Sequence, residues 1–327
     1  MPHKVLVSTR FFDADSVEFL RGNGCEVVRT GLPDDVQDDV LDAETLAGLL
    51  RGAEGWIVGM VPVTRAVMLA HPALKVIARR GVGYNNVDVA AARDLGRVVT
   101  IAPGGNEASV ADHALGMMLA LAKRLREGHL AMQGGRWTPL VTGELFQKTV
   151  GLIGFGRIAR AVARRLRGFD ARILAYDPVP DQAAADAVQA TFVDLPALLG
   201  QSDYVSLHLP LTPATRHLID GAALARAKPG TVIINTSRGG LIDEAALLTA
   251  LKSGQVGGAG LDVFEEEANP AGWPDILKLL ELPNVIASAH AAGSSAEGLA
   301  RTNRIAAQTV VDVLGGRRPD AQCVVVG

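Results

Sequence analysis

Three polar residues of complementary chemistry follow strand-like apolar runs in the C-terminal half of the chain. Arg238 follows VIINTS, Glu267 comes shortly after GLDVF, and His290 follows VIASA. A guanidinium can bind a carboxylate, a histidine can accept a hydroxyl proton, and an acid can orient that histidine and favour its protonated form. Singly, each could be a surface charge or a strand-end histidine. Their common placement predicts acid/base chemistry on a hydroxy acid.

A glycine turn within residues 149–177, TVGLIGFGRIARAVARRLRGFDARILAYD, complements this chemistry. Gly154, Gly156 and Ala159 form a G-x-G-x-x-A pattern between a predicted strand and a predicted helix. Such glycines allow a tight turn and a close pyrophosphate, which the helix N-terminus then binds. Asp177 closes the next strand about 20 positions beyond Gly156, where an acid binds ribose hydroxyls and repels a 2′-phosphate. The stretch therefore predicts NAD binding.

The elements that must position these residues alternate along the chain. Strand-length apolar runs alternate with helix-length segments through residues 1–101, and the alternation restarts at Thr149. Such alternation predicts an α/β protein with two doubly wound parallel sheets. Between them, an apolar helix follows Asn106 and runs past Leu121, with His113 as a core histidine, and a loop-like arm leads to the second sheet.

Composition narrows the class of partner. The 327 residues are 48% hydrophobic and 20% charged, with a net charge of -3 and no basic stripe. This favours two domains and a small-molecule substrate, and argues against nucleic-acid or membrane partners. Cys25 and Cys323 lie far apart and in no metal-ligand spacing, so we expect buried thiols, no metal site and a reducing, cytoplasmic setting.

A second glycine-containing loop, ARRGVGYNNVD, follows a predicted strand at residues 78–88. Gly81 and Gly83 let the backbone approach a ligand and offer N–H groups to an anion. A plain turn between strand and helix explains the same residues equally well. Its place at a strand's carboxyl end is where open α/β sheets bind ligands.

Over nearly its whole length the chain resembles the D-isomer-specific 2-hydroxyacid dehydrogenases. The matching segments are RRGVGYNNVD, NEASVADHALGMMLALAKR, VGLIGFGRIARAVARRLRGF, SLHLPLTPATRHLI, INTSRGGLIDEAALLTAL, GAGLDVFEEE and NVIASAHAAG. The resemblance implies an NAD-dependent enzyme acting on D-2-hydroxy acids. It also implies a Rossmann NAD-binding domain, residues 102–294, inserted into a flavodoxin-like substrate domain, residues 1–101 and 295–327, and a homodimer built on the cofactor domain.

The resemblance assigns a role to each matching residue. Arg238 would bind the substrate carboxylate, His290 would be the acid/base, and Glu267 its orienting partner. The remaining assignments are the substrate-binding residues Arg79, Val82 and Gly83, and the cofactor-binding residues Gly154, Gly156, Arg157, Ile158, Asp177, His208, Pro210, Thr215, Thr236 and Asp262.

Substrate identity stays open at this level. The pattern is similar to the short, phosphoglycerate-dehydrogenase-like branch, and Arg79 lies where that branch has a basic residue. Gly59 and Met60, however, replace its other phosphate-binding arginine, and EEEANPAGWP replaces a direct Glu-Pro around Glu267. A glyoxylate or hydroxypyruvate reductase is therefore an alternative, and a non-catalytic NAD-sensing corepressor is the rival from another class. Formate dehydrogenases are disfavoured because they carry Gln in place of Glu267.

Overall fold

The computed structural model describes residues 2–33, 36–267 and 269–327. Ala268, inside the EEEANPAGWP stretch, lies outside this description. The chain forms two compact units, the first from Met1–Asn106 and Gly293–Gly327 and the second from Glu107–Ala292. The sequence predicts the first boundary a few residues earlier, after residue 101, and the second slightly later, before residue 295. Residues up to Asn106 belong with the first unit because Gly105 accepts a hydrogen bond from Arg301.

Helices and strands follow one another as the alternation predicts. The elements of residues 3–133 are β1 (His3–Val7), α1 (Ala14–Gly22), β2 (Cys25–Arg29), α2 (Ala43–Leu50), β3 (Gly55–Val58), α3 (Arg65–Ala70), β4 (Val76–Arg79), α4 (Val89–Asp94), β5 (Val98–Thr100), α5 (Glu107–Ala122) and α6 (Leu125–Gln133). Those that follow are β6 (Thr149–Ile153), α7 (Arg157–Leu166), β7 (Arg172–Tyr176), α8 (Gln182–Asp186), β8 (Ala190–Phe192), α9 (Leu195–Gln201), β9 (Tyr204–Leu207), α10 (Gly221–Arg226), β10 (Thr231–Asn235), α11 (Glu244–Ser253), β11 (Val256–Leu261), α12 (Trp273–Leu280), β12 (Val285–Ala287), α13 (Ala296–Leu314) and β13 (Val324–Val326).

The first unit is a six-stranded sheet in the order β13-β5-β4-β3-β1-β2. Its first five strands are parallel in the order 2-1-3-4-5, which is the flavodoxin-like arrangement, and β13 joins β5 antiparallel. The central strand β3 is buried along its whole length, as a strand covered on both faces must be. Helix α13 packs on α1, β3 and β4, so the C-terminal helix returns to this unit as predicted.

The second unit is a seven-stranded, wholly parallel sheet in the order β12-β11-β10-β9-β6-β7-β8. Numbered from β6, this is the order 3-2-1-4-5-6 of doubly wound dinucleotide-binding sheets with one further strand. The sheet's strand order changes direction between β6 and β9, so ligands are expected at the carboxyl ends of these two strands. The predicted α/β class is thereby confirmed.

Aspartates begin many of the helices. The N-cap side chain accepts a hydrogen bond from the third helical residue in the helices capped by Asp13, Asp42, Asp88, Asp181, Asp194, Asp220 and Asp243. Each cap satisfies a backbone N–H that the helix cannot. These acids therefore stabilise the starts of the helices.

Some elements depart from the predictions. The residues before the second sheet, expected as an arm or loop, include α6, which begins after Arg124 adopts a left-handed conformation with φ 50°. The sequence also gives no expectation of α8, β8, α12 or β13. These elements are short or follow proline- and glycine-rich stretches, so their apolar periodicity is weak. In the described part of the chain, no helix combines the length and the apolar character needed to cross a bilayer.

Candidate active site

The glycine turn after β6 has the geometry that a bound pyrophosphate requires. Gly154 adopts φ 86°, and a Cβ there would lie 2.7 Å from the backbone oxygen of His208, so only glycine fits. Gly156 is the N-cap of α7 and offers no side-chain cap to the first helical N–H groups. A Cβ on Gly156 would meet nothing within 4 Å. The helix N-terminus therefore faces open space in which an anion fits.

Asp177 is fixed beside this turn at the end of β7. One carboxylate oxygen accepts from the N–H of Phe155 at 2.8 Å and the other from the N–H of Val179 at 2.9 Å. The side chain is half-buried. A carboxylate can accept about four hydrogen bonds, so capacity remains for ribose hydroxyls. Arg157 and Ile158 begin α7 on the same turn.

The predicted residues of the next loop lie beside Gly154. His208 follows β9, and its N–H donates to the backbone oxygen of Ile153 at 2.7 Å. Its Nε2 lies 3.0 Å from the Ser206 hydroxyl, and burial lowers the pKa of its imidazole to about 4. Further along, the Thr215 hydroxyl donates to the backbone oxygen of Pro210 at 2.8 Å, which folds the loop back on itself.

Thr236 is the strongest sign of a missing polar partner. It is 8% exposed and follows β10, and its Oγ1 is buried with no hydrogen-bond partner among the described residues. Buried hydroxyls in native proteins nearly always have a partner. The amide-bearing nicotinamide end of a dinucleotide would supply one. Gly154, Gly156, Asp177 and Thr236 together fit an NAD molecule.

Arg238 is held by the loop that follows β10. The Asn235 side chain donates to the Arg238 backbone oxygen at 2.8 Å and accepts from the Ser237 N–H at 3.0 Å. One guanidinium nitrogen donates to the Ser237 backbone oxygen. Burial lowers the pKa of Arg238, and nearby Glu267 partly opposes that shift. A partly desolvated guanidinium of this kind binds a carboxylate strongly.

Glu267 and His290, which the sequence predicts to act as an acid/base pair, are hydrogen-bonded to each other. His290 Nδ1 lies 2.7 Å from Glu267 Oε1, and the two side chains are 35% and 32% exposed. Burial raises the pKa of Glu267, but the hydrogen bond and charge of His290, the Phe264 N–H and the charge of Arg238 outweigh it, so the pKa is lowered. An ionised Glu267 accepts a hydrogen bond from Nδ1–H of His290. In the neutral imidazole, Nε2 is then unprotonated and can act as a base.

Asp262 fixes the turn that carries His290. It is 1% exposed, and its carboxylate accepts from the Ser288 hydroxyl and from the N–H groups of Ala291 and Ala292 at 2.8 and 2.9 Å. Its backbone oxygen accepts from the His290 N–H at 2.8 Å. His290 itself adopts φ 49°, a conformation that a non-glycine residue holds only under external constraint.

Ser288 and His113 are residues that the sequence analysis missed at this place. His113 Nε2 lies 2.8 Å from the Ser288 hydroxyl, which in turn donates to Asp262. From the sequence we expect His113 to be a core histidine with its hydrogen bonds satisfied, and the Ser288 hydroxyl is such a partner. The separation of 175 positions between His113 and Ser288 left no local signal of their contact.

Arg79, Val82 and Gly83 belong to the first unit, whereas the residues described above belong to the second. Arg79 donates through Nε to the Asn86 side-chain oxygen at 3.1 Å and through a terminal nitrogen to the Met60 sulfur. The backbone N–H groups of Val82 and Gly83 have no acceptor within residues 2–33, 36–267 and 269–327. Two consecutive N–H groups of this kind suit a carboxylate.

The described residues contain no group of three or more His, Cys, Asp or Glu side chains that could hold a metal ion. Cys25 and Cys323 are buried thiols.

Residues 115–292 match the model of the family described as "D-isomer specific 2-hydroxyacid dehydrogenase, NAD binding domain". The predicted NAD-binding domain is thereby confirmed. The chain is 38% identical to D-3-phosphoglycerate dehydrogenase of Synechocystis sp. over 315 residues, which cover 96% of this chain and 54% of that protein. It is 42% identical to hydroxypyruvate reductase of Thermotoga maritima over 255 residues, covering 77% and 82%.

The chain is also similar in structure to a solved dehydrogenase. The D-lactate dehydrogenase of Aquifex aeolicus, complexed with NAD and lactic acid, is 28% identical and superposes with a TM-score of 0.84, covering 99% of both chains. The chain spans about half the length of the curated phosphoglycerate dehydrogenases that it matches.

We expect His208 to make the fold sensitive to acid. Its folded-state pKa of about 4 lies below the ordinary 6.5, so the unfolded chain takes up the proton first. Stability from this group is complete above pH 6.5 and is lost as the pH falls towards 4, by at most about 3 kcal/mol. Denaturant unfolding from pH 7 to 4 should show a smaller loss for His208→Gln than for the wild type. An identical loss in both proteins would contradict this origin.

Proposed function

The chain belongs to the D-isomer specific 2-hydroxyacid dehydrogenase family, and we propose that it is an NAD-dependent oxidoreductase that transfers a hydride between the nicotinamide and C2 of a D-2-hydroxy acid or 2-oxo acid. The observation that carries this proposal is the 2.7 Å hydrogen bond between His290 and Glu267 at the carboxyl edge of the sheet that contains the glycine turn. Bound NAD would supply the hydride acceptor, and NADH the donor.

The proton chemistry falls to His290. In the oxidation direction Nε2 accepts the proton of the C2 hydroxyl, and the resulting imidazolium is stabilised by ionised Glu267 through Nδ1. In the reduction direction the imidazolium returns a proton to the developing alkoxide. Arg238 would hold the substrate carboxylate, which fixes C2 and its oxygen relative to the base. In the first unit, the N–H groups of Val82 and Gly83 are candidates for binding a substrate anion.

Cofactor recognition falls to the turn after β6 and its neighbours. The pyrophosphate would lie at the N-terminus of α7 near Gly156, Arg157 and Ile158, and Asp177 would bind the adenosine ribose. Thr236 would bind at the nicotinamide end, and His208, Pro210 and Thr215 would line the site. The carboxylate of Asp262 already accepts three hydrogen bonds from the His290 turn, so we propose that it acts mainly by positioning that turn.

Two kinds of substrate match the relatives. The Synechocystis relative is named for a phosphorylated hydroxy acid and the Thermotoga relative for an unphosphorylated 2-oxo acid. A panel of 2-oxo acids with and without a phosphate, followed by NADH oxidation, distinguishes them. Absence of turnover with every substrate would instead favour the non-catalytic NAD sensor.

Replacement of His290 should separate chemistry from cofactor binding. His290→Asn tolerates the left-handed backbone but removes the base, so we expect turnover to fall roughly 10²–10⁴-fold. The NADH dissociation constant, measured by fluorescence titration, should stay near the wild-type value. His290→Ala should behave alike. Loss of NADH binding in both variants, with turnover per bound NADH preserved, would refute this division of roles.

Removal of the Asp177 charge should weaken the preference for NAD. Asp177→Asn keeps an acceptor for the turn but loses the carboxylate, and hydrogen bonds to a charged group account for roughly a 10–100-fold preference. We therefore expect the ratio of kcat/KM for NADP to that for NAD to rise by such a factor. Exposed Asp186→Asn on α8 is the matched control. An unchanged ratio in Asp177→Asn would count against its ribose role.

We further propose a homodimer formed through the second unit. No residue of helix α6 is buried in a single chain, although three of them are large and apolar. Leu125, Leu130 and Met132 are 58%, 49% and 53% exposed. Trp137, just beyond, is 84% exposed. Several large apolar side chains exposed on one segment favour an interface with another protein. A second copy of this chain offers the same apolar segment, so the two copies can cover each other.

Charge on α6 should dissociate this dimer. The double variant Leu130→Glu, Met132→Glu should run in light scattering with the mass of one chain, whereas the wild type has the mass of two. Leu69→Glu, at an equally exposed leucine of α3 in the first unit, is the control and should leave the mass of two chains. A wild-type mass of one chain, or a double variant that keeps the mass of two, would overturn the proposal.

A further inference from the structure

The turn that carries Arg238 packs directly against the chain that leads to Glu267. A Cβ on Gly239 would lie 1.9 Å from the backbone carbonyl carbon of Phe264 and 2.2 Å from the backbone nitrogen of Glu265. No side chain fits at such distances, so backbone lies against backbone. Because closely packed segments transmit displacement, a shift of one of them moves the other.

The loop after β9, which lines the proposed cofactor site, reaches the same place. The N–H of His217 donates to the backbone oxygen of Gly240 at 2.8 Å. His217 adopts φ 50°, a conformation that a non-glycine residue holds only where its surroundings fix it. Three loops, residues 208–217, 236–241 and 262–267, therefore meet at the carboxyl edge of the second unit's sheet.

Glu265 connects these loops through its side chain and its backbone. Its carboxylate forms an ion pair with the Arg216 guanidinium, and Nε2 of His217 lies 2.9 Å from the other carboxylate oxygen. The N–H of Glu265 donates at 2.7 Å to Oε1 of Glu244, the first residue of α11. One residue thus joins the loop after β11 to the loop after β9 and to α11.

The same segment determines where Glu267 can lie. Glu267 is two residues beyond Glu265, and its Oε2 accepts from the N–H of Phe264 at 3.3 Å. Its Oε1 lies 2.7 Å from Nδ1 of His290. Since the backbone limits how far a residue two positions away can move, anchoring Glu265 restricts the carboxylate of Glu267 to the side of His290.

Like charges crowd this segment. Burial raises the pKa of Glu244, the hydrogen bond from the Glu265 N–H opposes the shift, and the charges of Glu265, Glu267 and Glu266 raise it further. The Arg216 guanidinium offsets this repulsion at Glu265. Glu265 and Arg216 are 22% and 55% exposed, and an ion pair of this exposure contributes little to global stability. A displacement of about 1 Å near reacting groups, in contrast, can lower turnover by about a hundredfold.

We propose that Glu265 is a positioning residue, whose carboxylate, held by Arg216 and His217, fixes the segment that carries Glu267 against the turn that carries Arg238. This rests on the proposed function, from which Glu267 and Arg238 take their roles. Glu265 acts through these two residues and through the loop after β9. Its loss affects turnover far more than the stability of the fold.

Reduction kinetics test this assignment with the faster of two 2-oxo acids, hydroxypyruvate and phosphohydroxypyruvate. Glu265→Gln keeps the size of the side chain and removes its charge. We expect kcat per bound NADH to fall roughly 10–100-fold, because Glu267 and Arg238 lose their fixed relative position. The NADH dissociation constant and the denaturant midpoint of unfolding should stay near the wild-type values. An unchanged kcat would overturn the proposal.

A double-variant cycle tests whether Glu265 acts through Arg216. Arg216→Met alone should lower kcat in the same direction. In the Glu265→Gln background it should lower kcat by no more than about twofold, because two residues that act through one contact have non-additive effects. Fully additive losses would contradict a role that depends on this ion pair.

The ion pair of Asp203 with Lys228 is the matched control. These side chains are 23% and 47% exposed, close to the values for Glu265 and Arg216, and they precede β9 and β10 at the amino edge of the same sheet. Asp203→Asn should therefore leave kcat per bound NADH unchanged. An equal loss of kcat in Asp203→Asn and Glu265→Gln would indicate a general structural effect and would overturn the assignment.

Amide hydrogen exchange separates this inference from the proposed reaction. Peptides that cover residues 208–217, 236–241 and 262–267 should all exchange several-fold faster in Glu265→Gln than in the wild type, and Asp203→Asn should leave them unchanged. If no 2-oxo acid is turned over, the proposed reaction fails, yet this joint increase would still support the connection of the three loops. Unchanged exchange in residues 208–217 and 236–241 would refute that connection whatever the activity.

Discussion

The hydrogen bonds accepted by the buried carboxylate of Asp262 are the interaction on which the His290–Glu267 pair depends. Parallel strands end at a common edge, but nothing in the sheet itself fixes how the chain turns after β12. Asp262 follows β11 and ties that turn down through Ser288, Ala291 and Ala292. The bonds outweigh the cost of a left-handed His290 and aim its ring at Glu267. A charge buried this deeply is tolerable only because its acceptors are filled.

The number of donors on each acid separates structural from chemical carboxylates. Asp38 is filled by four donors and Asp262 by three, and both are nearly inaccessible. Asp177 and Glu267 each accept two hydrogen bonds and remain partly exposed. Spare acceptor capacity combined with access is what a ribose or a proton-carrying imidazole needs. Sequence alone cannot make this distinction, because Asp177, Glu267 and Asp262 all follow strands of the same sheet.

Local pattern was enough to predict the fold class and to nominate candidate residues for the site. The alternation of apolar runs predicts two doubly wound sheets, and the turn around Gly154 is recognised because three small residues have fixed spacing. The features that the sequence does not predict are either short strands or contacts between residues far apart in the chain. Strands β8 and β13 have three residues each, too few for a period of two. Asp38 contacts Gly59 across 21 positions, and no local rule connects them.

The same limit explains why the sequence does not distinguish Arg79 from Arg80, two neighbouring arginines with different partners. Adjacent residues at the end of a strand project to opposite sides, so a doublet of arginines divides between two environments. Arg79 turns towards Asn86 and Met60, whereas Arg80 crosses β3 to Thr9. Gly59 and Met60 lack the charge expected after β3, but a guanidinium from the neighbouring strand reaches the same edge. The partner of a side chain at a strand end is therefore set by the order of the strands in the sheet, because that order decides which loops lie within its reach.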